Sequence, residues 1–137
     1  MKILKEFYFT FLLFSLTLIS SNADLVAHWP LDIDGKDATG NGHDGQITNG
    51  TVSFENIGAS NRTATAASFP DNGRIDIPFS PDLNPESFTV TLWAKPTSTN
   101  GYASPITSRN DVNGGESTHG YIIYNDSSGN WNFWTGD

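Results

Sequence analysis

The stretch Phe88–Pro96 reads FTVTLWAKP and is the longest regular alternation of side-chain character after position 23. Successive side chains leave opposite faces of a β-strand, so a period of two is typical of a half-buried strand. Pro85 lies in the turn before this stretch, and Pro96 ends it. Proline cannot donate a hydrogen bond to a β-ladder. The stretch therefore predicts the central strand of the fold, with Phe88, Val90 and Leu92 facing the core.

Shorter strand-like runs recur along the rest of the chain, separated by Gly, Asn, Asp, Ser and Pro. They recur roughly every 10 to 15 residues, a spacing typical of antiparallel β-proteins. No i, i+3, i+4 apolar pattern persists long enough to indicate a helix. The sequence thus predicts an all-β, antiparallel two-sheet jelly-roll sandwich. Its predicted strands are 25–29, 46–48, 51–57, 64–69, 73–79, 88–96, 102–108, 120–124 and 131–135.

The first 23 residues have the layout of a secretory signal peptide. Lys2 and Lys5 precede an uncharged apolar run over 7–19, and small residues at 21 and 23 precede Asp24. Such a run is too short for a membrane-spanning helix, which needs roughly 20 residues. We therefore predict a signal peptide over 1–23 and one domain over 24–137. The product is expected to be secreted, extracellular or on the cell surface, with the periplasm as an alternative, and not to span a membrane.

The composition excludes several classes of protein. The chain has 7 Lys and Arg against 15 Asp and Glu, a formal net charge of −8, and its basic residues are scattered. Without a basic patch there is no electrostatic basis for nucleic-acid binding. Because the chain has no cysteine, it has neither a disulfide framework nor a thiol nucleophile, and a hydrophobic core is expected to hold the fold.

Four motifs in a fixed order carry a resemblance to a known family. The first is the predicted strand LVAHWP at 25–30. The three that follow it are DATGNGHDG at 37–45, SFPDNGRIDIP at 68–78, which we expect to form a hairpin, and FTVTLWAKP. With them the chain resembles the laminin G-like, concanavalin A-like jelly-roll modules of secreted and surface proteins. The resemblance covers about two-thirds of such a module and implies a domain that is incomplete at its C-terminal end. Because this superfamily includes lectins, adhesion modules, glycosidases and their accessory modules, it indicates a fold more specifically than a function.

The loop 32–45 is a candidate calcium site. It holds four Asp, one Asn and four Gly, and Ca²⁺ takes roughly six to eight oxygen ligands on a flexible loop. The candidate ligands are Asp32, Asp34, Asn41 and Asp44. The loop departs from the EF-hand pattern, since a start at Asp37 puts Thr48 where the bidentate Glu belongs. The resemblance implies one structural Ca²⁺ near this loop, and the alternative is that its Asp and Gly residues are ordinary turn formers.

Catalytic carboxylates are not evident in the sequence. A retaining glycosidase needs two carboxyl groups about 5 to 5.5 Å apart, which on one strand face requires acidic residues two or four positions apart. Glu55, Glu86 and Glu116 have no acidic neighbour at that spacing on a predicted strand. A Gly-x-Ser-x-Gly nucleophile elbow is also missing. We therefore predict a protein that is not an enzyme.

Aromatic residues crowd the last third of the chain, next to several Asn and Asp residues. Sugar rings stack on aromatic planes while amides and carboxylates take the hydroxyl groups, so this composition favours a carbohydrate site. The candidate ligand-binding residues are Tyr124, Asn125, Trp131 and Trp134. The alternative is that these rings pack in the core, because burial of large rings stabilises small domains.

Taken together, the sequence predicts a secreted, non-catalytic module that binds carbohydrate or an extracellular or surface protein, with Ca²⁺ as a candidate structural ion. An alternative function is that of an N-terminal accessory module in a larger glycoside hydrolase or other secreted enzyme. A third is an adhesive or structural spacer in a surface protein.

Overall fold

The computed structural model describes residues 24–59, 63–97, 101–109 and 120–136. The predicted signal peptide, residues 1–23, lies outside the described residues. Within those ranges there is no helix with the length and apolar character that crossing a membrane requires.

The described chain is all-β and antiparallel, and its one helical element is a three-residue 3-10 helix. The strands pair as β1 with β4, β2 with β3, and β5 with β6 and β7 in that order. These sheets of two, two and three strands are small and are not closed. The elements are β1 Gln46–Asn49, β2 Ser53–Ile57, β3 Thr65–Ser68, β4 Arg74–Asp76, the 3-10 helix Pro81–Leu83, β5 Ala103–Thr107, β6 Tyr121–Asn125 and β7 Trp131–Thr135.

Most of the strand predictions are confirmed, because each of the seven observed strands lies at a predicted one. The prediction for 25–29 is wrong, since those residues form no strand. They are instead held by hydrogen bonds to the loop that follows, as described below. The local alternation of side chains therefore predicted the positions of all seven strands that pair in the described structure.

The predicted central strand is also wrong. Residues 88–96 lie in no β-ladder of the described chain. Phe88 is 39% exposed and Leu92 is 36% exposed, while Val90 is half-buried. The alternation specified which side chains share a face. A strand additionally needs a neighbouring backbone to pair its N–H and C=O groups, and that neighbour is not determined by local sequence.

The expected hairpin at 68–78 contains a tight turn but not a paired hairpin. Asp71 and Asn72 both have positive φ, at 51° and 59°, and the Gly73 N–H donates to the Pro70 carbonyl at 2.8 Å. Positive φ at both central residues is the geometry of a type I′ turn. The strands on either side nevertheless pair elsewhere, β3 with β2 and β4 with β1.

The predicted hydrophobic core is small in the described part of the chain. Tyr121 on β6, 8% exposed, is the one large hydrophobic side chain that is buried there. The Phe88 ring packs on it with a centroid separation of 4.9 Å. Phe88 thus contacts the buried Tyr121 ring, but at 39% exposed it is not itself buried, so the prediction that it faces the core is wrong.

The loop 32–45 packs closely on β4 through two glycines. The Gly45 N–H donates to the Gly35 carbonyl at 2.9 Å, and the Ile75 side chain lies against both residues. A Cβ atom on Gly45 would overlap Cγ2 of Ile75. Glycine at this position therefore permits the contact between the loop and the β1–β4 sheet.

Gly45→Ala should destabilise the protein by ~1–3 kcal/mol, the usual cost of forcing an extra methyl group into a packed site. Urea unfolding followed by circular dichroism measures this loss. In an Ile75→Ala background the cost of Gly45→Ala should be smaller, because the overlapping methyl group has gone. Equal costs in the two backgrounds would contradict the packing described.

Candidate functional site

The Asp37 carboxylate lies at the centre of the first loop and is 8% exposed. Oδ1 accepts hydrogen bonds from the backbone N–H groups of His28 and Thr39, at 3.0 and 2.9 Å. The Thr39 hydroxyl donates to the same carboxylate at 2.7 to 2.8 Å, and the His43 N–H approaches Oδ2 at 3.4 Å. The Asp37 side chain thus links His28, before the loop, to Thr39 and His43 in the second half of the loop.

Two opposing effects act on the pKa of Asp37. Burial would raise it, but the N–H groups of His28, Thr39 and His43 and the Thr39 hydroxyl outweigh burial and hold the pKa well below its ordinary value of 3.8. The carboxylate is therefore ionised at neutral pH, with its negative charge satisfied by donors of the chain itself.

His43 is 5% exposed and joins the loop to the 3-10 helix. Its Nε2 lies 3.1 Å from Oδ2 of Asp82, and its carbonyl accepts the Trp29 indole N–H at 2.6 Å. The Ser80 hydroxyl also donates to Asp82. That bond and the contact with His43 lower the pKa of Asp82, against a smaller opposing effect of burial. Because Ser80 bonds the carboxylate and not the imidazole, the three residues do not form a nucleophile–base pair.

The four predicted calcium ligands take part in separate hydrogen bonds within the chain. The pairs are Asp32 with Thr65, Asp34 with Lys36, Asn41 with Val26, and Asp44 with Asp37. Among the described residues, no three or more His, Cys, Asp and Glu side chains come together in a way that would hold a metal ion. Calcium binding by these residues stays a prediction.

A cavity of about 420 Å³ lies beside this loop and is largely apolar. Asp32 and Asp34 line it, whereas Asn41 and Asp44 do not. Two of the four predicted calcium ligands therefore line this cavity. The full lining is Pro30, Leu31, Asp32, Ile33, Asp34, Lys36 and Ala38.

The aromatic residues of the last third lie on the β5–β6–β7 sheet, and the register of its strands assigns them to two faces. Residues directly opposite in an antiparallel pair share a face. The Tyr121 face consists of Tyr121, Ile123 and Asn125 on β6 with Thr135, Phe133 and Trp131 on β7. The Tyr124 face consists of Ile122 and Tyr124 on β6 with Trp134 and Asn132 on β7.

The four predicted ligand-binding residues are therefore divided between the faces. Tyr124 and Trp134 lie on one face, and Asn125 and Trp131 lie on the other. Asn125 is only 1% exposed, and its Oδ1 accepts no hydrogen bond from the described residues. A ligand stacked on the sheet surface cannot reach an atom that is fully buried. A single binding surface can thus include Tyr124 with Trp134, but not all four residues.

The Tyr124 face also carries aromatic and polar groups that the sequence-based set omitted. Tyr102 is 77% exposed, and its ring centroid lies 5.9 Å from that of Tyr124. Asn132 is opposite Tyr124, and its amide donates to the Asp126 carboxylate at 3.1 Å. The Arg109 guanidinium lies over the Trp134 ring at 5.5 Å. The hairpin register could have indicated Asn132, since the turn at 126–130 fixes which residues face each other.

The turn that joins β6 to β7 is held by the Asp126 carboxylate. Oδ1 accepts the N–H groups of Ser128 and Asn130, each at 2.9 Å. The Asn130 N–H is the main cause of a lowered pKa at Asp126, with Asn132 and Ser128 contributing against a smaller effect of burial. This fixed turn sets the register that brings Asn132 opposite Tyr124.

Asp37→Asn should lower the melting temperature by several degrees near neutral pH, because an NH₂ group replaces one accepting oxygen among N–H donors. Since the folded-state pKa is lowered, this stabilisation is complete above the unfolded value of 3.8 and is lost as the pH falls below it. The difference in melting temperature between wild type and variant should therefore narrow in acid. Thermal unfolding followed by circular dichroism across the acid range measures it.

Asp44→Asn is the matched control, because this exposed carboxylate in the same loop accepts the Asp37 N–H at 2.9 Å. It should lower the melting temperature less than Asp37→Asn does. A difference between wild type and Asp37→Asn that stays constant in acid would contradict the role given to the Asp37 charge.

The calcium prediction has a direct test in the melting temperature of the full chain. An ion that binds only the folded state stabilises it, so the melting temperature should be higher in Ca²⁺ than in chelator. Asp32→Asn combined with Asp34→Asn should remove that increase. Identical melting curves in Ca²⁺ and in chelator would show that the prediction is wrong.

Comparison of the chain with protein-family models, with curated proteins and with solved structures gave no match. Any functional conclusion therefore depends on the sequence and on the geometry described above.

Proposed function

We propose that the protein is a secreted, non-catalytic module that binds carbohydrate on the Tyr124 face of the β5–β6–β7 sheet. The observation that carries this proposal is the grouping of exposed and half-buried aromatic rings with amide and guanidinium groups on one face. A sugar presents apolar C–H surfaces and hydroxyl groups together, so its site needs both kinds of partner.

The apolar part of the proposed site is formed by Tyr102, Tyr124 and Trp134. Tyr102 offers the largest exposed ring, at 77%, and the rings of Tyr102 and Tyr124 are inclined by 53°. Trp134 is 36% exposed, and the Arg109 guanidinium lies over its ring. The Tyr102 ring is therefore the surface on which a sugar would stack, with Trp134 at the side of the site.

The polar part is formed by Asn132 and Arg109. The Asn132 amide donates through Nδ2 to Asp126 and to the Asn130 carbonyl, both at 3.1 Å. These bonds hold its Oδ1 in a fixed position, from which it would accept a hydrogen bond from a sugar hydroxyl. The Arg109 guanidinium, over the Trp134 ring, adds a positive charge at the side of the site. Groups held in place before binding lose less entropy when the ligand arrives.

The Tyr121 face is less suited to a sugar. Its large exposed side chains, Trp131 at 48% and Phe133 at 59%, are aromatic, and Thr135 adds an exposed hydroxyl. The amide of that face belongs to Asn125, which is 1% exposed and out of reach. This face therefore offers stacking surface without accessible amide partners, and a sugar needs both.

The proposal includes a laminin G-like jelly-roll scaffold and secretion. The all-β, antiparallel architecture of the described residues and the order of the four sequence motifs support the scaffold. The layout of residues 1–23 supports secretion. The absence of paired acidic residues at glycosidase spacing in the sequence supports a binding role without catalysis.

Tyr102→Ala and Trp134→Ala should each weaken sugar binding by about tenfold, which corresponds to ~1.4 kcal/mol. A glycan array identifies the ligand, and calorimetric titration with that glycan then measures the loss. Trp131→Ala is the matched control, because it truncates a similarly exposed ring on the opposite face and should leave binding unchanged.

Two outcomes would count against the proposal. A blank array from a chain shown by circular dichroism to be folded would remove carbohydrate as the ligand. If sugar binding is lost in Trp131→Ala but retained in Trp134→Ala, the site lies on the Tyr121 face and the proposal is wrong.

A further inference from the structure

The aromatic rings of the Tyr124 face do not lie in one plane. The Tyr102 and Tyr124 rings are inclined by 53°, and their centroids are 5.9 Å apart. We infer that this face takes a single, freely soluble glycan chain and not the flat surface of a crystalline polysaccharide. The inference rests on the proposed carbohydrate function, and it names the physical form of the sugar that the site accepts.

A crystalline polysaccharide presents its sugar rings side by side in one plane. Aromatic side chains bind such a surface by lying flat on it together, because dispersion attraction falls steeply when atoms lose close contact. Two rings inclined by 53° cannot both lie flat on one plane. If Tyr102 lies on the crystal face, Tyr124 is turned away from it, and most of the stacking contact is lost.

A single glycan chain can follow this geometry. Its sugar units rotate about the glycosidic bonds that join them, so neighbouring units can present their faces in different directions. Tyr102 is 77% exposed, whereas Tyr124 is half-buried. One unit can therefore stack on the open Tyr102 ring while the adjoining unit contacts Tyr124 at a different inclination.

The third aromatic ring of this face does not extend a flat platform. The Arg109 guanidinium lies over the Trp134 ring, 5.5 Å from its centroid, and Trp134 is 36% exposed. A flat surface laid on that side of the indole meets the guanidinium before it meets the ring. Trp134 therefore contributes contact at the side of the site, where a narrow chain can reach it.

The Asn132 amide is suited to the hydroxyl groups at the edge of a sugar ring. Asn132 lies opposite Tyr124, and its Nδ2 donates to Asp126 and to the Asn130 carbonyl, which leaves Oδ1 as an acceptor. In a crystalline polysaccharide the edge hydroxyl groups bond neighbouring chains. On a soluble chain they bond water, which a protein acceptor can replace. A fixed amide beside the stacking rings therefore favours a separate chain.

The test presents the folded full chain with both forms of carbohydrate. The soluble probes are cellohexaose, chitohexaose and any glycan bound on the array, each titrated by calorimetry. The insoluble probes are microcrystalline cellulose and crystalline chitin, and the protein left in the supernatant is measured. At least one soluble glycan should bind, whereas the crystalline solids should leave the protein in solution.

Two substitutions test the contacts on which the inference depends. Asn132→Ala should weaken binding of the soluble glycan by about tenfold, because the acceptor for an edge hydroxyl group is lost. Tyr102→Phe keeps the stacking ring and loses only the hydroxyl, so it is the matched control for Tyr102→Ala and should retain binding. Circular dichroism shows whether each variant is folded, and the comparison of soluble with crystalline probes uses the wild type alone.

Failure of the inference can be told from failure of the proposed function. Depletion of the protein by either crystalline solid would overturn the inference and leave the carbohydrate function in place. Full binding of the soluble glycan by a folded Asn132→Ala variant would also overturn the inference. A blank array, with no binding of the hexasaccharides and no depletion by the solids, would remove the carbohydrate function and the inference with it.

Discussion

The Asp37 carboxylate is the interaction on which the N-terminal part of this structure depends. Residues 24–30 have no strand partner, so their position is set by hydrogen bonds to the loop that follows. The buried Asp37 carboxylate accepts hydrogen bonds from the His28 N–H and from the N–H and hydroxyl groups of Thr39. A buried charge would destabilise the fold if it were unpaired. With these donors around it, the same charge fixes the conformation of the loop.

The loop in turn connects elements that do not pair with each other. Its glycines pack on Ile75 of β4, and its Asp32 carbonyl and carboxylate accept hydrogen bonds from β2 and β3. His43 reaches the 3-10 helix through Asp82. Few apolar side chains are buried in the described chain, and these polar contacts join its elements there. Of the predicted calcium ligands, Asp32 and Asn41 make such contacts with other segments, whereas the bonds of Asp34 and Asp44 stay within the loop.

The β5–β6–β7 sheet is held together differently from the N-terminal loop. Its strands are organised by a fixed turn at Asp126 and by an uninterrupted ladder between β6 and β7. Because side chains alternate between faces, this ladder separates aromatic residues that are neighbours in sequence. Trp134 lies with Tyr124 on a face rich in polar groups, whereas Trp131 and Phe133 lie on the face of the buried Tyr121. The two faces of this sheet therefore differ in chemistry.

The sequence by itself determined the all-β class, the positions of the seven strands and the tight turn at Asp71 and Asn72, because each depends on local alternation or local turn chemistry. Apart from the β6–β7 hairpin, whose turn at 126–130 is local, the partner of each strand was decided only in the tertiary structure. The stretch Phe88–Pro96 has the clearest alternation yet lies in no ladder, and the strands flanking the 71–73 turn pair with other strands. The physical reason is that backbone N–H and C=O groups pair across distances in sequence that no local pattern encodes. That pairing also decided which aromatic residues share a face.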